Sequence, residues 1–205
     1  MANTTFTGPV RSINGFEQVS KNATTGAITT ISGNKMGTEA ATGAGIEGTA
    51  ETYITQVERF KSDTDTNVNL VKTTIMIDLT GLASSGADDI IGKAGSGVAY
   101  IGRVTTADTG VVFGVTMECF ETPAGGDPDI DLYSATEATG VEDSAIGDLT
   151  ETQIINSGDL SAGSRVAGGT IAADQYLYLV AGSATDATYT AGRLIITIHG
   201  YDAAS

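Results

Sequence analysis

The segment Asp127-Pro-Asp-Ile-Asp131 resembles the start of a calcium loop. Carboxylates at alternate positions can offer hard oxygen ligands to a divalent cation. A calcium loop of the EF-hand kind would add a Gly at position six and a bidentate Glu at position twelve. Leu132 and Ala138 stand there instead, so that motif is excluded. Either a different divalent-cation site or a solvated acidic loop remains for the stretch 121–159. Gly43-Ala-Gly-Ile-Glu-Gly48 matches G-x-G-x-x-G, a pattern that cradles a pyrophosphate only between a strand and a helix. Here it follows a polar, Gly-rich stretch and precedes a strand-like run, so it reads as a flexible hinge. Gly92, Gly95 and Gly97 miss the phosphate-loop spacing and read as a turn.

His199 is the one histidine, and its strand-face neighbours Thr197 and Tyr201 are polar. A nucleophilic or metal site would need partners brought by the fold, so a surface or interface histidine is expected. Cys119 falls on the apolar face of a strand and is expected in the core. Carboxylate pairs such as Asp88-Asp89 and Glu142-Asp143 show no reason for their pKa values to diverge, as acid–base chemistry requires. No enzyme and no cofactor are expected.

The chain must therefore be read through its elements. Its 205 residues suit one domain plus an extension. With 27 Gly but only 3 Pro, and 40% hydrophobic residues, it fits short strands joined by Gly-rich turns rather than disorder. A net charge of −15, with ten scattered bases, argues against nucleic acid and against anionic membranes. A single Cys precludes an internal disulfide and is compatible with a reducing cytoplasm. The polar N-terminus predicts no secretory signal, and no apolar run reaches the length of a membrane span.

Strand-like runs begin near Thr49 and recur at 50–60, 68–79, 98–104, 111–120, 175–180 and 193–201. In 68–79, Val71, Ile75, Ile77 and Leu79 share one face. In 111–120, strict alternation puts Val111, Phe113, Val115, Met117 and Cys119 together. The runs 98–104 and 111–120 read as a hairpin, as do 175–180 and 193–201. The acidic stretch 123–165, with short apolar pieces at Ile130–Tyr133 and Gln153–Ile155, reads as loop. No helical period of about twelve residues occurs. The prediction is an all-β fold: an antiparallel β-sandwich, jelly-roll-like, over residues 49–205.

Residues 1–48 read as an extended N-terminal arm. Residues 1–38 hold three bases against one acid, while the rest of the chain holds seven bases against 24 acids. Phe6, Val10, Ile13 and Phe16 have no sustained alternation with which to bury themselves, so they are expected to be buried against something else. With Arg11 they are the candidate contact residues. Residues 1–20 would anchor and 21–48 would tether.

The opening ANTTFTGPVRSINGFE (Ala2–Glu17) and the closing YLYLVAGSATDATYTAGRLIITIHGY (Tyr176–Tyr201) resemble small virion proteins of tailed phages, marine ones especially. The two segments cover about a fifth of the chain. The resemblance implies a head decoration, or cement, protein. It would be made in the host cytoplasm, bind the capsid exterior as a homotrimer, and clamp neighbouring capsomers through the major capsid protein. Another tail- or fibre-associated virion component is an alternative. A surface glycan-binding module is a further one, weakened by the absence of Trp.

Overall fold

The computed structural model describes residues 19–21, 28–30, 42–46, 52–60 and 68–202. Phe6, Val10, Arg11, Ile13 and Phe16 lie outside these. The chain is all-β and antiparallel. Its strands are β1 Val19–Lys21, β2 Ile28–Thr30, β3 Thr52–Phe60, β4 Val68–Asp78, β5 Ala83–Ser84, β6 Gly102–Arg103 and β7 Val111–Ala124. They continue with β8 Ile130–Ala135, β9 Glu151–Ile155, β10 Arg165–Gly168, β11 Tyr176–Ala181, β12 Ala187–Thr188 and β13 Ala191–Asp202. The one α-helical turn described, α1, spans Thr106–Thr109. No helix among the described residues is long and apolar enough to cross a membrane.

The strands form a five-stranded sheet, ordered β10-β7-β13-β4-β3, and a four-stranded sheet, ordered β6-β11-β8-β9. Their pairing is nested. β4 pairs with β13, β6 with β11, β7 with β10 and β8 with β9. Successive pairs alternate between the sheets, so the body is one long antiparallel ribbon folded back and forth. Contacts β7–β13 and β8–β11 join the pairs into sheets.

One apolar core lies between the two sheets. Ile75, Ile77, Val115, Met117, Leu194, Ile196 and Ile198 enter it from the five-stranded sheet, and Leu132, Leu177 and Leu179 from the four-stranded one. The predicted face of 68–79 is correct: Val71, Ile75, Ile77 and Leu79 are all buried.

The predicted face of 111–120 is correct only for Val115, Met117 and Cys119. Val112, not Val111 or Phe113, is buried at the start of β7. The ladder steps from His199↔Gly114 to Gly200↔Val112 and skips Phe113. That β-bulge shifts the strand by one residue and reverses its faces. A second bulge, between Arg193↔Glu121 and Leu194↔Cys119, skips Phe120.

Both predicted hairpins are replaced by crossings between the sheets. β6 pairs with β11 and β7 with β13, so 98–104 and 111–120 belong to opposite sheets, as do β11 and β13. Period-two patterns mark strands but carry no information on partners. The stretch 123–165 is not simply loop, because its short apolar pieces form β8 and β9.

The stretch Thr42–Ile46, inside the expected tether, is seated in the body. The Gly43 and Gly45 amides donate to the Tyr100 and Val98 carbonyls, at 2.9 and 2.8 Å, and Ile46 is fully buried. A side chain at Gly43 would collide with the Val98 carbonyl, so these glycines permit close backbone approach rather than hinging. Ile46→Ala is expected to destabilise the protein by about 2–4 kcal/mol. Denaturant titration measures this, and a change near zero would mean that the segment does not belong to the core.

Candidate functional site

Two regions gather the functional chemistry. The first is the acidic corner at the start of β8. Asp127 is fully buried. Its Oδ1 accepts from the Asp129 amide at 3.0 Å and the Ser183 hydroxyl at 2.7 Å, and its Oδ2 accepts from the Ser183 amide at 2.7 Å. Its own amide donates to Ser84 Oγ at 3.0 Å, and its carbonyl accepts from the buried Tyr189 hydroxyl at 2.7 Å. A charge so placed is tolerable only with this many donors. Asp127 therefore pins three loops together.

Asp131 is equally committed. It accepts from Gln153 Nε2 at 2.7 Å and from the Ser157 amide at 2.8 Å. Asp129 differs, because its Oδ1 is buried with no hydrogen-bond partner. Gly182 lies against this carboxylate, and any side chain there would collide with it. Burial raises the Asp129 pKa, and the carboxylates of Asp131, Asp127 and Asp159 raise it further, against one hydrogen bond from the Gly158 amide. The alternate spacing thus yields two structural carboxylates and one strained one. Among the described residues no three His, Cys, Asp or Glu side chains converge to hold an ion.

The second region is the outer face of the five-stranded sheet. The outer face of the other sheet is closed by its own chain. β8 is buried along its whole length, and Tyr178 is sealed beneath Gly140, donating to the Glu137 carbonyl at 2.8 Å and accepting from the Gly140 amide at 3.3 Å. Burial pushes its hydroxyl pKa up to about 12. Among the described residues the five-stranded sheet has no such cover, although Thr197 in the middle of its outer face is buried. Of the six exposed large hydrophobic residues described, Met76, Val111, Phe113, Phe120 and Tyr201 lie on it, and Val141 does not.

These side chains fall into two groups along the face. At one end Val111 pairs with Tyr201, and the Phe113 ring lies 6.1 Å from His199. A strip of Thr74, Thr197 and Thr116, paired across three strands, occupies the middle. At the other end Met76, Phe120 and Ile195 line a groove of about 290 Å³, with Asp78 and Arg193 at its margin. Arg193 Nε reaches Asp78 at 3.2 Å and Glu121 at 3.6 Å, and Arg165 pairs with Glu118 at 2.8 Å. Burial raises the Asp78 pKa, but hydrogen bonds from Thr80 and Arg193 outweigh that and hold it below the usual value.

The remaining candidates are placed plainly. His199 is half-buried on the outer face, as expected of a surface or interface residue. Cys119 points inward, and burial raises its thiol pKa, which disfavours the nucleophilic thiolate. Tyr176 meets the Tyr100 ring edge-to-face at 5.1 Å and carries Arg103 at 5.4 Å over its face. The Phe120 groove was not foreseen, because its walls come from β4, β7 and β13 and the sequence does not show that these strands are neighbours. Comparison with protein-family models, curated proteins and solved structures finds no match to this chain.

Two substitutions separate the aspartates. Asp127→Ala is expected to cost about 3 kcal/mol, because it strands buried donors. Asp129→Asn should do the opposite at pH 7. A carboxyl whose folded pKa is raised contributes stability below its unfolded pKa and loses it as pH rises through the folded one. The melting temperature of Asp129→Asn should therefore exceed that of the parent at neutral pH, and the gap should close as pH falls toward the ordinary value of 3.8.

Proposed function

We propose that this chain is a non-enzymatic structural protein of a phage virion. In this reading it decorates the capsid exterior as a homotrimer and stabilises the shell by bridging neighbouring capsomers. The arm, the part of residues 1–48 that precedes the body-bound stretch Thr42–Ile46, supplies contacts through Phe6, Val10, Arg11, Ile13 and Phe16. The observation that carries the reading is the asymmetry of the sandwich: one outer face is closed by the chain's own loops, while the other displays five large apolar side chains. An apolar face of this kind marks a protein-binding surface.

Three further features support it. Both termini of the sequence resemble small virion proteins. The nested strand pairing is the winding expected of an eight-stranded jelly roll, an architecture common in virion shells. The acidic remainder of the chain gives a soluble, mutually repelling exterior, which suits many copies held close together. Repetition about a threefold axis would multiply weak arm contacts through avidity.

Deletion of residues 2–20, which removes most of β1 but nothing of the sandwich, is expected to leave a body that still unfolds cooperatively yet no longer co-sediments with capsids. Undiminished occupancy by the truncated protein would refute the arm's role.

A further inference from the structure

We propose that the groove between Met76, Phe120 and Ile195 is the seat of the chain's own N-terminal segment, residues 5–16. The inference rests on the reading of residues 1–20 as a contact arm and gives that arm a specific surface.

The groove asks for an apolar occupant. Its lining side chains are apolar apart from Asp78 and Arg193, which are spent on each other. It therefore lacks the unspent, convergent polar groups that orient a small-molecule ligand. Its volume, about 290 Å³, lies at the low end of ligand pockets, whose range is about 300–1,000 Å³, and suits one or two apolar side chains. Phe120 follows Thr116 and Glu118 on the outward side of β7 and is 58% exposed.

The margin asks for a basic occupant. Three carboxylates, Asp78, Glu118 and Glu121, share only two guanidinium groups, Arg193 and Arg165. A second copy of the acidic body would meet like charge there. The N-terminal segment is the part of the chain that combines both needs. It carries Phe6, Val10, Ile13 and Phe16 around Arg11, the one charged residue of 5–16, and residues 1–38 as a whole hold three bases against one acid.

Reach is sufficient. Phe16 lies three residues before Val19, Val19 pairs with Thr30, and thirteen residues lead from Thr30 to Gly43, which is bonded to the body. Those sixteen residues could span up to about 50 Å. A folded chain of this length has a radius of gyration of about 17 Å. The arm can thus reach the groove of its own body or of a neighbouring copy.

The test is disulfide trapping in the full-length protein without capsids. Met76→Cys combined with Phe16→Cys should oxidise to a bridge with about tenfold higher yield than Glu151→Cys combined with Phe16→Cys, because docking raises the local concentration. Glu151 is exposed on β9, in the other sheet. Ile195→Cys with Ile13→Cys provides an independent bridge should the first pair perturb folding. Adding Phe120→Asp, at a site too exposed to threaten the core, should abolish the excess yield, and Arg11→Glu should reduce it at low salt. The mass of the bridged species reports whether the arm comes from the same chain or a neighbour, and either result supports the assignment. Equal yields at positions 76 and 151, or yields indifferent to Phe120→Asp, would overturn it. The outcome is separable from the capsid assay, since trapping can succeed even where truncated protein still binds capsids, and can fail where it does not.

Discussion

The body depends on one ladder, the pairing of β4 with β13. These strands meet over ten registered positions, from Asp78↔Arg193 to Asn69↔Asp202. The side chains at its start are 115 residues apart in sequence. Closing so large a loop costs conformational entropy that only the completed core returns. Every other nested pair lies within that loop. The sandwich is therefore expected to form as a unit, with little independent stability in any single hairpin.

The same winding explains why the two outer faces differ. Crossing repeatedly between sheets leaves long connections at 79–101 and 136–150, and parts of these lie against β11 and β8. Ile90 bridges Val180, the Ala99 amide bonds to the Gly140 carbonyl, and Gly140 abuts Ile90 and Tyr178. The acidic corner serves this packing: Asp127 ties the loop before β8 to the loop after β11 and, through Ser84, to β5. It thus acts as a structural clasp, and the like-charged crowding at Asp129 is the local cost.

The sequence revealed the strands and their composition more fully than their arrangement. Val71, Ile75, Ile77 and Leu79 announced β4, because alternation reports directly on a half-buried strand. The same rule misplaced Val111 and Phe113, since a bulge shifts the phase without changing residue types. Pairing was illegible because partners more than a hundred residues apart leave no local trace. β8 was hidden for a different reason: buried on both faces, it has no polar side to alternate with. Gly43 and Gly45 looked like flexibility, but they mark where backbones touch. The groove at Phe120 is walled by β4, β7 and β13 together, and so shared the invisibility of their pairing.

The nesting that brings β4 beside β13 also governs how the molecule answers to force. Asn69 and Asp202 are partners, so the start of β4 and the end of β13 lie side by side at one end of the sheet, next to the end of β3. Tension applied between those two points would open the ladder rung by rung, like a zipper, with each pair of hydrogen bonds bearing the stress alone. Stress delivered across the exposed sheet face would instead be spread over several strands at once. A protein of this build is weak when β4 and β13 are pulled apart from that end and strong when held by its side.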